Sequence, residues 1–546
     1  MRPLTRSQPR TFWFCLVGAL AVLTAGSGCR PRESAVVSGN RTQVLHRGIG
    51  GDVSDLDPHL ATNIAEIDLA SVLFEGLVAE DPVDLHPVPG VAERWEISAD
   101  GLNYTFHLRT TARWSDGQPV TAMDFLTSWR RVLTASLGSE NAGMLYLIQG
   151  AEAFHKQAAA NFAQVGVSAP DAHTLSVTLD HPAPHFLSLL THPVWWPVPL
   201  ATVSANGSAY SRGNPWTRPG RLVGNGPFKL KLWEPNKVIE VEKSPTYWDA
   251  AKVRLNGIRF YPSDSVDTEE RAFRSGQLHL TYVLPFGKVD TYRRSAPQFL
   301  RTDPYLNTYF VRLNTRRSPL NQENVRRALA LAVDRAAIVQ NVMRGGQQPA
   351  ASFTPPGLPG YTPPAGIGTN LAAAREQLAA AGYPGGKGFP TLELLHNTSE
   401  NHRMMAEILQ EMWRRELGIE VRLVNQEFKV LLAERRAGNY QLLLSDWVGD
   451  YLDPTTFLDM WRSDSGNNHT GWANPEYDAL LFRAARNPDP VARAAQLQQA
   501  ESQMLASAPI VPLYFNTHVF LLQPNVKGWY PTLLDHHPYK HVWLEP

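Results

Sequence analysis

The sequence predicts an α/β fold divided into two or three domains, on three observations. A chain of 546 residues is too long for one hydrophobic core. Between residues 300 and 445, strand-like and helix-spaced segments alternate as β-α-β-α-β, a succession in which crossover helices cover a largely parallel sheet. Composition is globular, with 43% hydrophobic and 19% charged residues, and the 42 Pro and 39 Gly are scattered among turns rather than repeated at a fixed period.

The N-terminus carries Arg2, Arg6 and Arg10, then an apolar run from Thr11 to Ala25 that is too short to span a bilayer comfortably. Ala25-Gly26-Ser27-Gly28-Cys29 follows, with small residues before a cysteine as in a bacterial lipobox, so residues 1–28 read as a signal peptide and Cys29 as the lipidated first residue. Gly26 stands where such boxes usually have an aliphatic residue, which keeps ordinary signal-peptidase cleavage as the alternative. Arg30–Asn40 reads as a flexible tether. Cys15 and Cys29 are the only cysteines, so the body of the chain has no internal disulfide and no cysteine metal site. The net charge of zero gives no sign of a nucleic-acid partner.

Val44 opens a strand, and Leu69–Leu77 reads as a short helix. Tyr104, Phe106 and Leu108 alternate on one strand face, an Asp116-Gly117 turn follows, and Thr121 caps the next helix. Further on, Asn324–Asn341 and Asn370–Ala381 have helical spacing, the second stopped by Gly382. Thr391–Leu395 is a strand, Asn401–Leu417 a helix stopped by Gly418, Glu420–Val424 a strand, Phe428–Ala437 a helix and Gln441–Leu444 a strand.

The segment after that last strand holds Asp446, Asp450 and Asp453 among Trp447, Tyr451, Phe457 and Trp461. An unpaired carboxylate is a poor core residue. One reading makes Asp450 the partner of a cation that arrives from outside. The other is a solvated loop whose aspartates serve turns. In such sheets ligands bind beyond the carboxyl ends of strands, and Asp450 lies just past one.

Several separated blocks then carry a resemblance: Val91-Ala92-Glu93-Arg94-Trp95, Trp114-Ser115-Asp116-Gly117, Asn225-Gly226-Pro227-Phe228, Ser244-Pro245-Thr246-Tyr247-Trp248, and Val325-Arg326-Arg327-Ala328-Leu329 with Asp334-Arg335. Together with Trp447, Asp450, Tyr451, Pro454, Thr455 and Phe457 they resemble the peptide-binding branch, family 5, of the solute-binding proteins that serve bacterial ABC importers. The likeness runs from about Val44 to the C-terminus.

The resemblance implies a two-lobed, type II periplasmic-binding-protein-like fold with an inserted third domain. Domain I would be residues 41–74, 206–306 and 518–546, domain II 75–205, and domain III 307–517, with hinges near 306 and 517. It places the peptide α-ammonium on Asp450 and the peptide backbone along Tyr305–Thr308 and Ser445–Val448, including Asn307. Trp447, Phe428 and Tyr305 become pocket walls, although each suits a plain core aromatic as well. Asp446 and Asp453 are left as turn or capping residues.

Departures from the family follow. Members often join the positions of Asn307 and Val448 by a disulfide, absent here. The family's basic residues for the peptide carboxylate fall on Ser445 and Met343, which carry no charge, and His402 matches the histidine used for longer peptides. The ligand therefore stays open between an oligopeptide and a murein peptide, nickel chelate or oligosaccharide. His536, His537 and His541 are read as solvated surface histidines rather than a metal site. No phosphate loop, nucleophile elbow or HExxH pattern is present, so the expectation is a binding protein without cofactor, metal or catalysis. Permease and ATPase subunits as partners, a monomeric state and lipid anchorage outside the cytoplasm complete it.

Overall fold

The computed structural model describes residues 33–156, 161–183, 185–358, 360–487 and 489–546. The signal segment and Cys29 lie outside the described residues. Ala35–Thr42, expected within the tether, is instead a helix. The Ser34 side chain caps it by accepting from Val37 N–H at 3.3 Å, and Val36 is buried.

Three larger sheets organise the chain. The first has the order Val44–Gly48, Gly257–Tyr261, Val238–Lys243, Phe228–Glu234. The second is antiparallel: Ala92–Ile97, Asn103–Leu108, Thr174–Thr178, Val167–Asp171. Tyr104, Phe106 and Leu108 turn inward as their alternation predicts. The helix Ala122–Leu133 packs on this sheet, with Thr121 N–H donating to Asp124 Oδ2 at 2.7 Å. Trp129, Trp195 and Trp216, each at most 1% exposed, fill the core shared by these two sheets.

The third sheet has six strands: Gln348–Pro349, Ile510–Leu521, Leu300–Leu313, Leu442–Val448, Leu392–Asn397, Val421–Gln426. Only the last three run parallel, which corrects the largely parallel expectation. Leu300–Leu313 brings the chain into this lobe and Ile510–Leu521 takes it out, so these two long strands oppose each other. Their pairing breaks between Pro304 and Thr308.

The helices cover the sheet near the expected positions. Phe428–Ala437 matches its predicted limits. Glu400–Leu417 ends at Gly418, whose φ is +67° and where an added Cβ would lie 2.6 Å from Gly385 O. The predicted helix from 324 to 341 stops at Leu331, because the Asp334 side chain starts a new turn by accepting from Ala337 N–H at 2.9 Å. The helix predicted over 69–77 lies earlier, at Ile64–Leu73, capped by Asn63. No helix among the described residues is long and apolar enough to cross a membrane.

Candidate functional site

The strand Leu442–Val448 builds the site. Its pairing with Leu392–Asn397 covers only Leu442 and Leu443, whereas its other side pairs from Asn307 to Leu313. Residues 444–448 therefore present an open backbone edge, and all five line a cavity of about 270 Å³. The opposite walls include Gly50, Asn63, Asn141, His192 and Tyr282.

Beyond the strand, Gly449 N–H donates to Leu306 O at 2.8 Å. A Cβ on Gly449 would lie 2.5 Å from Leu306 Cδ2, so any larger residue would have to displace that buried side chain. The next residue, Asp450, turns into the cavity with its side chain 14% exposed. Its N–H donates to Thr456 Oγ1 at 2.7 Å, and that hydroxyl lies 3.4 Å from Oδ2. His192 Nε2 approaches Oδ1 at 3.7 Å from the opposite wall. The Nδ1 of His192 accepts from Val194 N–H at 3.1 Å, so in the neutral ring the proton sits on Nε2, facing the carboxylate. Burial pushes the Asp450 carboxyl up to about 7, against the opposing pull of charged His536 and the Thr456 hydroxyl. Burial, reinforced by His536, lowers His192 to about 3. The carboxylate has no cation of its own within ion-pair distance among the described residues.

The other sequence-predicted residues divide. Tyr305, Phe428, Ser445, Trp447, Val448 and His402 line the same cavity as Asp450. Trp447 is held by its indole N–H, which donates to Thr456 O at 2.8 Å. Burial, with His396 beside it, lowers His402 to about 4, so at neutral pH it is an uncharged ring in contact with Asn397 Oδ1. Asn307 is not on the wall: it is fully buried and donates to Asp446 Oδ2 at 2.9 Å, supporting the wall from behind. Met343 is buried in the core of the lobe, away from the cavity.

Asp453 caps Thr455 N–H at 3.0 Å as expected and also holds Arg493 at 2.8 Å. Asp446 is no turn residue; the strand runs four residues further than predicted and carries it into the cavity. The C-terminal histidines also differ from the solvated reading. His537 is 5% exposed and sits on the neighbouring Asp535 at 2.9 Å, and His536 sits on Glu80 at 2.9 Å, because the segment folds back onto this distant part of the chain. Among the described residues the one metal-like cluster is elsewhere, at Asp81, Asp84 and His86.

Sequence reasoning missed Arg435. Phe428, Leu431, Leu432 and Arg435 share a helix face at i, i+3, i+4 and i+7, and all four line the cavity. That spacing was the available signal. Arg435 Nη2 lies 3.7 Å from Oε2 of Glu140, the neighbour of the wall residue Asn141. Arg436 and His469 reach the same carboxylate. Burial opposes ionisation there, but these partners win and hold Glu140 down at about 2. Lys429 Nζ also bridges to Asp52 at 3.0 Å, and Asn467 donates to Asn141 at 2.9 Å.

Two lobes closed over a cavity, with an open strand edge and an uncompensated carboxylate inside, define a solute-binding protein. The chain belongs to the bacterial extracellular solute-binding proteins, family 5, whose profile matches residues 86–469. It is similar to the periplasmic oligopeptide-binding protein OppA of Escherichia coli (strain K12), 37% identical over 522 residues that cover 94% of each chain. Haemophilus influenzae OppA in complex with RPPGFSPFR superposes with a TM-score of 0.88 at 31% identity, covering 92% of this chain and 99% of that one. The Escherichia coli murein tripeptide binding protein MppA gives 0.87 at 35% identity, over 92% of this chain and 98% of that one. MppA in its unliganded open form gives only 0.61 at 34% identity, over 94% and 99%. The lobes here are therefore in a closed arrangement.

Proposed function

We propose that this chain is the receptor of a bacterial ABC importer and captures oligopeptides between its lobes. The observation that carries this reading is Asp450, a buried carboxylate without a cation, at the end of an open strand edge. A peptide α-ammonium supplies the missing charge. The peptide main chain adds to residues 444–448 as a further strand, which satisfies its N–H and C=O groups without reading side chains. Tyr305, Phe428 and Trp447 wall the space for its side chains, and Arg435, held towards Glu140, lines the same cavity.

The lobes swing at residues 306 and 517, where the long strands Leu300–Leu313 and Ile510–Leu521 part from each other. The protein carries out no chemistry on its ligand, works as a monomer in the periplasm held by lipid on Cys29, and delivers the ligand to permease subunits driven by ATPases. A murein peptide is the second reading, favoured by the likeness to MppA and by a cavity that holds both acids and Arg435. Mass spectrometry of the ligand released by denaturing protein purified from its native periplasm tests both. Peptides of mixed sequence support the first, and a diamino-acid-containing muropeptide supports the second. A sugar or metal chelate overturns both.

A further inference from the structure

We propose that Asp446, with the tyrosines around it, forms a pocket for a basic side chain of the ligand, a lysine or arginine, separate from the anchor at Asp450. This rests on the peptide reading above.

Along the strand, Leu442, Leu444 and Asp446 fall on one face. The two leucines pack in the core, and Asp446 carries the same face out into the cavity. Directly opposite it stands Tyr309 on the next strand, and Tyr309 lies opposite Tyr514 on the strand after that. Residues opposed in this way share a face. The Tyr309 and Tyr514 rings stack at 5.0 Å with 9° between planes. Tyr282 and Tyr305 line the same cavity. Burial first, and then the charge of Asp446, raises the hydroxyl pKa of Tyr282 and of Tyr514.

Among the described residues Asp446 makes no ion pair. Its Oδ2 accepts from the neutral amide of Asn307, a bond that any neutral acceptor would serve equally. The nearby guanidiniums are engaged elsewhere: Arg312 donates to Ser445 Oγ at 3.3 Å and Asn467 O at 3.2 Å, and Arg435 faces Glu140. Among the described residues nothing hydrogen-bonds the hydroxyls of Tyr309 and Tyr514, which are 5% and 2% exposed. A carboxylate exposed to the cavity beside aromatic side chains attracts a cation that the closing lobes then cut off from water. A neutral side chain would leave that carboxylate unpaired.

The test is calorimetry with alanine peptides in which one position at a time carries lysine, arginine, norleucine or glutamate. At one position beyond the first, lysine and arginine should bind about ten- to a hundredfold tighter than norleucine, the range of a hydrogen bond to a charged group. In Asp446→Asn that ratio should fall towards one. A ratio near one at every position in the wild type, or a ratio unchanged in Asp446→Asn, overturns the pocket while the peptide reading stands. If no peptide binds at all, both fall. Should Asp446→Asn not melt cooperatively, the same ratio in Tyr282→Leu decides: a fall supports the pocket, and an unchanged ratio overturns it.

Discussion

Asn307 and Val448 face each other directly across two antiparallel strands of the six-stranded sheet. The family resemblance leads to the expectation of a disulfide at these two positions, and the register sets them opposite each other although neither is a cysteine. The double variant Asn307→Cys with Val448→Cys should oxidise readily. Closing so long a loop should stabilise the protein by ~2–4 kcal/mol, less what is lost with the Asn307–Asp446 bond. Thermal melts with and without reductant, alongside a free-thiol count, check this. Thiols that stay free in oxidant would mean that the register is wrong.

Closure should take up a proton near neutral pH. In the closed form burial raises Asp450 to about 7, whereas an open, solvated carboxylate titrates near 4. A group whose pKa rises on closing favours the closed form as pH falls through the raised value. His192, lowered to about 3, has the opposite sign and takes over below its ordinary value of 6.5. The window is therefore about pH 8 to 6.5. Over it, the radius of gyration of the unliganded protein should shrink, and Asp450→Asn should abolish most of that change. An identical pH response in the variant would refute the assignment.

Glu140 is the cross-lobe latch. It receives Arg435, Arg436 and His469 from the facing lobe with only 8% of its side chain exposed. Glu140→Gln keeps the shape and removes the charge, leaving the partly buried Arg435 guanidinium without its counter-charge. Ligand affinity should fall about tenfold or more, through faster release, for a loss above ~1.4 kcal/mol. Stopped-flow dissociation measures it, and an unchanged off-rate would exclude a latch.

Gly449→Ala should weaken binding without touching the ligand. The added methyl would meet Leu306 Cδ2 at 2.5 Å and Phe457 at 3.1 Å, and relief of that clash shifts the turn carrying Asp450. A destabilisation of ~1–3 kcal/mol is expected from such overpacking. A melt as stable as the wild type's, with unaltered affinity, would contradict it.

Much of this architecture is legible in the residues. Inward Tyr104, Phe106 and Leu108 and the limits of Phe428–Ala437 follow from local spacing alone. Strand direction does not: nothing local to Leu300–Leu313 says that it opposes Leu442–Val448. In the same way Asp334 breaks a helix through a cap that the apolar periodicity hides. At the site, motif blocks locate Asp450, but charge partners come from far along the chain. His536 meets Glu80, and Arg435 meets Glu140, across separations that no sequence window spans.

Titration of one peptide in free-amine and N-acetylated forms against wild type and Asp450→Asn tests the anchor most directly. If Asp450 holds the chain end, acetylation should weaken binding to the wild type about ten- to a hundredfold and bring little further loss in the variant. Equal affinity of both forms for the wild type would contradict it.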